Sequence, residues 1–347
     1  MWRDLSMKKH IFLQTNVETS RLGFGCVQLT AHDKRKEALS VLEHAFSLGI
    51  THFDVARAYG FGRAEGILRE FLRQKRHAVT LTTKFGIEPP SGLVGNVRAI
   101  NVLKKVLRPF PGLLRHAKNR GAAMVKTGIF TPEAAIRSLE TSLRELGTDY
   151  VDIYLLHEGS LADAGSAPLV ETLLGQVAKG KIRHLGVGSA FRKFQEDADL
   201  LPAAYEVLQF NDNAVDRSVG KLLHGDRRFL ITHSVFTPAG PLRQVVKARP
   251  QIAREYSLRM SIDLAEPTAI ESLLLRFALW SNANGIVLFS SKNPQHIANN
   301  VREADSEPYD DARMHQFVEF VDQILDAMSP TPGVTDSHGN GTLSGPS

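Results

Sequence analysis

Short apolar runs alternate with longer amphipathic segments along most of the chain. The runs are 22–26 (LGFGC), 51–55 (THFDV), 79–84 (VTLTTK), 151–157 (VDIYLLH), 183–188 (RHLGVG), 207–211 (VLQFN), 229–233 (FLITH) and 285–290 (GIVLFS). They are nearly continuous in apolar or β-branched residues, the pattern of strands buried on both faces. Between and after them, helical spacing predicts helices over 35–48, 63–75, 132–146, 167–180, 193–201, 218–224, 267–282 and 293–303. Thr131-Pro132-Glu133 reads as a cap followed by an N1 proline, and Gly147 and Gly180 stand where helix C-termini belong. Eight strands alternating with eight helices predict an α/β protein built as a (β/α)8 TIM barrel. An open doubly wound sheet would carry a Gly-x-Gly-x-x-Gly turn after its first strand. Here Gly23-Phe24-Gly25 is followed by Cys26-Val27-Gln28, so the third glycine is missing.

Three segments stand outside this repeat. Residues 9–21 predict an N-terminal hairpin plugging the barrel bottom, with Asn16 at its turn. Residues 86–130 form a long insertion after the third strand, and Phe85, Ile87, Leu93, Val94 and Phe110 are candidate apolar walls for a substrate pocket. Residues 309–328 carry Phe317, Phe320, Val321, Ile324 and Leu325 at helical spacing and predict a final helix. The expected organisation is one domain over 1–328 with a disordered tail over 329–347, which is rich in Pro, Gly, Ser, Thr and Asn.

Composition narrows the partners. The chain has 347 residues and a net charge of +5, mild enough to make nucleic acid an unexpected ligand. Eight of its basic residues fall in 86–127 against the single acid Glu88, a charge run read as a solvated loop. Cys26 is the only cysteine, so the chain has no internal disulfide or thiolate metal cluster, and a reducing cytoplasm is the expected compartment. No secretory leader and no bilayer-spanning run is expected.

The chemistry lies at the strand ends. Asp54, Lys84 and His157 each finish a predicted strand, and Tyr59 follows in the loop after the second. In a parallel barrel all four point into one mouth. Each has an ordinary structural explanation when taken alone: Asp54 as a partner of Arg57 or Arg63, Tyr59 as a packing residue, His157 as a core histidine. Lys84 is harder to explain this way, because an unpaired ammonium at the end of a buried strand is costly. Together they suit reduction of a carbonyl, in which the alkoxide needs a proton as it forms. A tyrosine can supply it, a lysine ammonium favours the phenolate, an aspartate holds the lysine, and an imidazole hydrogen-bonds the substrate oxygen. No metal is required.

The chain resembles the aldo-keto reductase superfamily. The resemblance rests on RLGFGC (21–26), GITHFDVARAYGFGRAEGIL (49–68), TTKFG (82–86), SLETSLRELGTDYVDIYLLH (138–157), GKIRHLGVGS (180–189), VLQFN (207–211) and SSKNPQHIANNV (290–301). It implies Tyr59 as proton donor, tuned by Lys84 and Asp54, with His157 positioning the carbonyl. It also implies a nicotinamide cofactor extended across the barrel mouth, with NADP(H) favoured and NAD(H) the alternative. The implied contacts are Gly25 and Cys26 after the first strand, Ser189 and Gln209 at the carboxamide, and His233 with Ser234 under the nicotinamide ring. Ser290, Ser291, Lys292, His296 and Asn300 are implied at the phosphate and adenine. Gly188-Ser189 stands where relatives have Ser-Asn, and His233 stands where they have a stacking aromatic. The implied substrate is a small carbonyl compound or sugar. Two other readings are a cofactor-binding regulatory or redox-sensing barrel with little turnover, and a metal-dependent hydrolase built on Asp54, His157 and His233.

Overall fold

The computed structural model describes residues 7–12, 15, 17–32, 34–88, 126–222 and 228–328. Eight parallel strands close into a barrel: β1 (Leu22–Gly25), β2 (His52–Asp54), β3 (Thr80–Phe85), β4 (Val151–His157), β5 (Ile182–Gly188), β6 (Tyr205–Asn211), β7 (Phe229–His233) and β8 (Ile286–Phe289). Each strand pairs with its neighbours in chain order, and β8 returns to β1 through Leu288 opposite Gly23. The outer ring contains α1 (Arg35–Ser47), α2 (Arg63–Leu72), α3 (Pro132–Leu146), α4 (Ala167–Ala178), α5 (Ala239–Ala248), α6 (Pro250–Met260), α7 (Ala269–Ser281), α8 (Pro294–Asp305) and α9 (Asp311–Met328).

Local sequence explains the helix ends. Thr131 Oγ1 accepts the Ala134 amide at 3.2 Å and Pro132 opens α3, while Gly147 closes it in the left-handed region at φ +67°. The apolar stripes of α2, α3 and α4 turn Leu68, Leu139 and Leu173 onto the outer face of the barrel. The expected final helix is α9, and Phe317, Phe320, Val321 and Ile324 are buried on it.

A second, smaller apolar cluster fills the barrel interior. Phe12 joins Ile153, Leu155, Val207, Phe229, Ile231, Ile286 and Leu288 there. The antiparallel ribbon Lys9–Ile11 with Glu18–Ser20 brings Phe12 to the barrel, where its ring meets Phe229 edge-on at 5.1 Å. The expected hairpin plug is therefore present; Asn16, expected at its turn, lies outside the described residues.

Three expectations differ from the structure. Residues 193–201 and 218–224 were expected to be helical, but their described parts hold only short 3-10 turns at Phe191–Lys193, Ala198–Leu200 and Val219–Lys221. In the first, Phe191 and Phe194 are three apart and touch ring to ring at 5.7 Å, a spacing that a 3-10 turn satisfies as well as an α-helix. The third difference lies between β7 and β8, where two helices, α5 and α6, precede the expected α7. They break the one-strand, one-helix rhythm on which the reading was based. The insertion after β3 leaves and returns as a short antiparallel ladder, Ile87–Glu88 with Lys126–Thr127. Leu93, Val94, Phe110 and the tail 329–347 lie outside the described residues.

Candidate active site

Side chains alternate along a strand, so residues two apart share a face. Two positions above the interior apolar layer on three strands the residue is polar: His157 above Leu155, Gln209 above Val207, and His233 above Ile231. With Asp54 and Lys84 they line a cavity of about 430 Å³ at the C-terminal mouth, together with Gly25, Tyr59, Ser189, Ser234 and Ser290. That volume suits a small-molecule ligand.

Lys84 is 2% exposed, and its Nζ donates to Asp54 Oδ1 at 2.5 Å and to the Val55 carbonyl at 3.3 Å. The ammonium also lies 5.3 Å from the centre of the Tyr59 ring. Burial alone would strip the charge from Lys84, but Asp54 and Tyr59 outweigh it and hold the ammonium above its ordinary pKa. Arg57, a conceivable partner for Asp54, pairs instead with buried Glu65 at 2.9 Å, and Glu65 also accepts from Thr83 Oγ1.

Tyr59 reaches the mouth through a tight turn. Gly60, Phe61 and Gly62 all have positive φ, and a Cβ on Gly60 would lie 2.1 Å from Thr30 Cγ2. Glycine is required at that step. The Tyr59 phenol is pushed above its ordinary pKa by burial, which exceeds the opposing pull of Lys84. The Tyr59 and His157 rings meet edge-on with centres 6.0 Å apart. His157 is pulled down to about 4, first by burial and then by the charge of Lys84, so it is neutral near pH 7. Its Nδ1 is enclosed without a hydrogen-bond partner among the described residues, leaving Nε2 for a ligand.

The expected cofactor residues divide into two groups. Gly25, Ser189, Gln209, His233, Ser234 and Ser290 line the cavity; Cys26, Ser291, Lys292, His296 and Asn300 are not among its lining residues. Cys26 is wholly buried in the outer core, with its Sγ–H directed at the Phe24 carbonyl. Ser189 Oγ donates its proton to the Gly159 carbonyl at 2.7 Å, so it can only accept from a ligand. Gln209 Nε2 donates to Asp54 Oδ2 at 2.7 Å. His233 Nδ1 bonds Ser234 Oγ at 2.8 Å. Near the expected phosphate position Lys292 and His296 are exposed. The α8 N-terminus beside them offers few free amides. Pro294 has none, Gln295 N donates to Asn293 Oδ1 at 2.9 Å, and Ile297 N donates to the Asn293 carbonyl.

Sequence reasoning missed Val27, Glu158, Phe236 and Thr237, which also line the cavity. Glu158 had a readable signal, an acid directly after the strand-ending His157. It takes a left-handed φ of +63° and pairs with Lys193 at 2.9 Å. Val27 and Phe236 have no comparable local signal, since loop paths decide their position. Among the described residues no three His, Cys, Asp or Glu side chains cluster as a metal site requires.

The geometry now has an independent counterpart. The family model described as "Aldo/keto reductase family" matches residues 21–197, just over half of the 347. This chain belongs to the aldo/keto reductase family. Among curated relatives, an aldo-keto reductase of Schizosaccharomyces pombe named for NADP(+) is 29% identical, the match covering 48% of this chain and 41% of that protein. The NADH-specific methylglyoxal reductase of Escherichia coli is 26% identical, with 58% and 60% covered. The chain spans about half the length of the curated relatives it matches. Among solved structures, the holo form of an aldo-keto reductase from Bacillus halodurans superposes with a TM-score of 0.66 at 17% identity, over 90% of this chain and 96% of that one. That likeness concerns the fold, and it extends past residue 197, where the family match ends.

Proposed function

We propose that this protein interconverts a small carbonyl compound, an aldehyde, ketone or sugar lactol, with its alcohol, using a nicotinamide cofactor. The observation that carries the reading is the buried ammonium of Lys84, held between Asp54 and Tyr59 in the wall of a cavity that also presents a neutral His157. The donor set suits a nicotinamide carboxamide: Gly188 keeps the wall open, Gln209 Oε1 can accept an N–H, and Ser189 Oγ retains a lone pair. The cofactor, when bound, supplies or takes up the hydride.

The chain's own residues handle the proton. His157 donates from Nε2 to the substrate oxygen and fixes its direction. Tyr59 is protonated at neutral pH, as a phenol ordinarily is, and burial raises its pKa further, so it is in the acid form needed for reduction. When Tyr59 gives up its proton, Lys84 stabilises the phenolate, and Asp54 keeps Lys84 charged and in place. Metal chemistry has no role in this scheme.

NADP(H) is the cofactor we favour, on the strength of exposed Lys292 beside His296 near the α8 start. Because the local amides are largely committed, the charge of Lys292 has to carry phosphate recognition. The named relatives include both NADP(+) and NADH users, so this preference belongs to the present chain's residues.

The test is a panel of aldehydes, ketones and aldoses with NADPH, followed by its absorbance. Tyr59→Phe is expected to lower turnover by about 10²–10⁴-fold with cofactor affinity retained. Full activity in that variant overturns the proton-donor role. Tight NADPH binding by the wild type without turnover of any substrate favours the regulatory reading, which the commitment of Ser189 to Gly159 supports.

A further inference from the structure

The Gln209 amide faces two ways. An ionised carboxylate only accepts, so the atom 2.7 Å from Asp54 Oδ2 is the amide nitrogen, and this fixes the orientation of the group. Asp54 thus has both oxygens engaged, Oδ1 by Lys84 Nζ and Oδ2 by Gln209 Nε2. Gln209 Oε1 takes no hydrogen bond among the described residues. A Cβ at position 188 would lie 3.3 Å from that oxygen and 3.2 Å from Leu155 Cδ1. Glycine therefore keeps the oxygen open on the cavity side. Gln209 is 4% exposed and anchored in β6 opposite Gly188 and Ile231, so the contact is held by the barrel.

We infer that Gln209 is a positioning residue of the proton-transfer chain, linking a ligand amide at Oε1 to Asp54 through Nε2. This rests on the reductase reading of the site. By donating to Asp54, Gln209 takes up part of the carboxylate's negative charge and leaves more of the Lys84 charge acting on Tyr59. An amide N–H at Oε1 polarises Gln209 further and tightens the Asp54 contact. Occupation of the mouth is thereby felt at the proton donor, three contacts away through Asp54 and Lys84.

The experiment uses full-length protein labelled with 13Cζ-tyrosine, with the Tyr59 signal assigned by its loss in Tyr59→Phe. Gln209→Leu removes the donor and keeps most of the volume; Gln209→Asn offers the same amide on a shorter arm. In the cofactor-free protein the Tyr59 titration is expected to move upward by about half a pH unit or more in Gln209→Leu, because Asp54 then opposes phenolate formation more strongly. With NADPH and a turned-over carbonyl, kcat is expected to fall about tenfold or more, and the pH profile of kcat to move in the same direction. Gln209→Asn should recover part of the titration shift. An unchanged Tyr59 titration with only weaker NADPH binding overturns the inference and leaves Gln209 as a cofactor contact. Loss of kcat with an unmoved pH profile overturns it as well. The titration needs no turnover, so a wild type inactive on every carbonyl would defeat the functional reading while still leaving this inference to be judged.

Discussion

At the scale of single residues, the site depends on Lys84, whose ammonium is almost sealed from water. Replacing it by methionine leaves Asp54 buried with Gln209 as its remaining donor. Removing one partner of a buried pair costs about 3–5 kcal/mol, and urea unfolding should show a loss of that order. Adding Asp54→Asn removes the orphaned charge and should recover most of the stability, while turnover stays low because nothing then supports the Tyr59 phenolate. A double variant that regains activity would contradict the role given to Lys84. Lys292 is the opposite case, since it is exposed and contributes only when an anion arrives. Lys292→Met is expected to weaken NADPH binding about tenfold and to leave NADH binding unchanged, as measured by nicotinamide fluorescence. Equal weakening of both cofactors would place the phosphate elsewhere.

At the scale of elements, the barrel positions these residues by a two-residue period. Interior positions on β4, β6 and β7 run from apolar to polar toward the C-terminal mouth, and the turn after β2 swings Tyr59 over them. The opposite end is closed by the N-terminal ribbon, with Phe12 at 2% exposure against Phe229 and His184. Phe12→Ala is expected to cost about 3–5 kcal/mol, read from the urea midpoint. It should leave the Michaelis constant nearly unchanged, because the cavity lies at the far end of the strands. A large change in that constant with normal stability would mean the plug reaches the site.

At the scale of the whole molecule, the buried histidines set the response to acid. Burial pulls His52 and His157 down to about 4, and His52 is hydrogen-bonded to Thr80 at 2.8 Å. The unfolded chain binds protons at these positions near pH 6.5, well before the folded protein does. Their contribution to stability is therefore complete above pH 6.5 and is lost as the pH falls toward 4, by about 3 kcal/mol for His52 alone. Urea midpoints measured between pH 7 and pH 4.5 should fall steadily. A flat profile over that interval would show that these imidazoles are not held neutral. No helix among the described residues is long and apolar enough to cross a membrane.

The chain pattern determined the class of fold because the barrel strands are buried on both faces over most of their length, so their apolar runs survive as a local signal. It also marked Asp54, Lys84 and His157, since polar residues ending such runs stand out against them. The two helices between β7 and β8 were not legible, because amphipathic spacing says nothing about how many helices one connection holds. A helix over 193–201 was expected where short turns occur, because three-residue apolar spacing serves both helix types. Other features depend on distance across the barrel. Gln209 donating to Asp54 joins residues 155 apart in sequence, and Ser189 spending its proton on Gly159 joins residues 30 apart. The balance at Tyr59 is of the same kind. A lysine can be read from the sequence, but how deeply the phenol is buried, and hence whether burial or charge prevails, is decided only when the strands close.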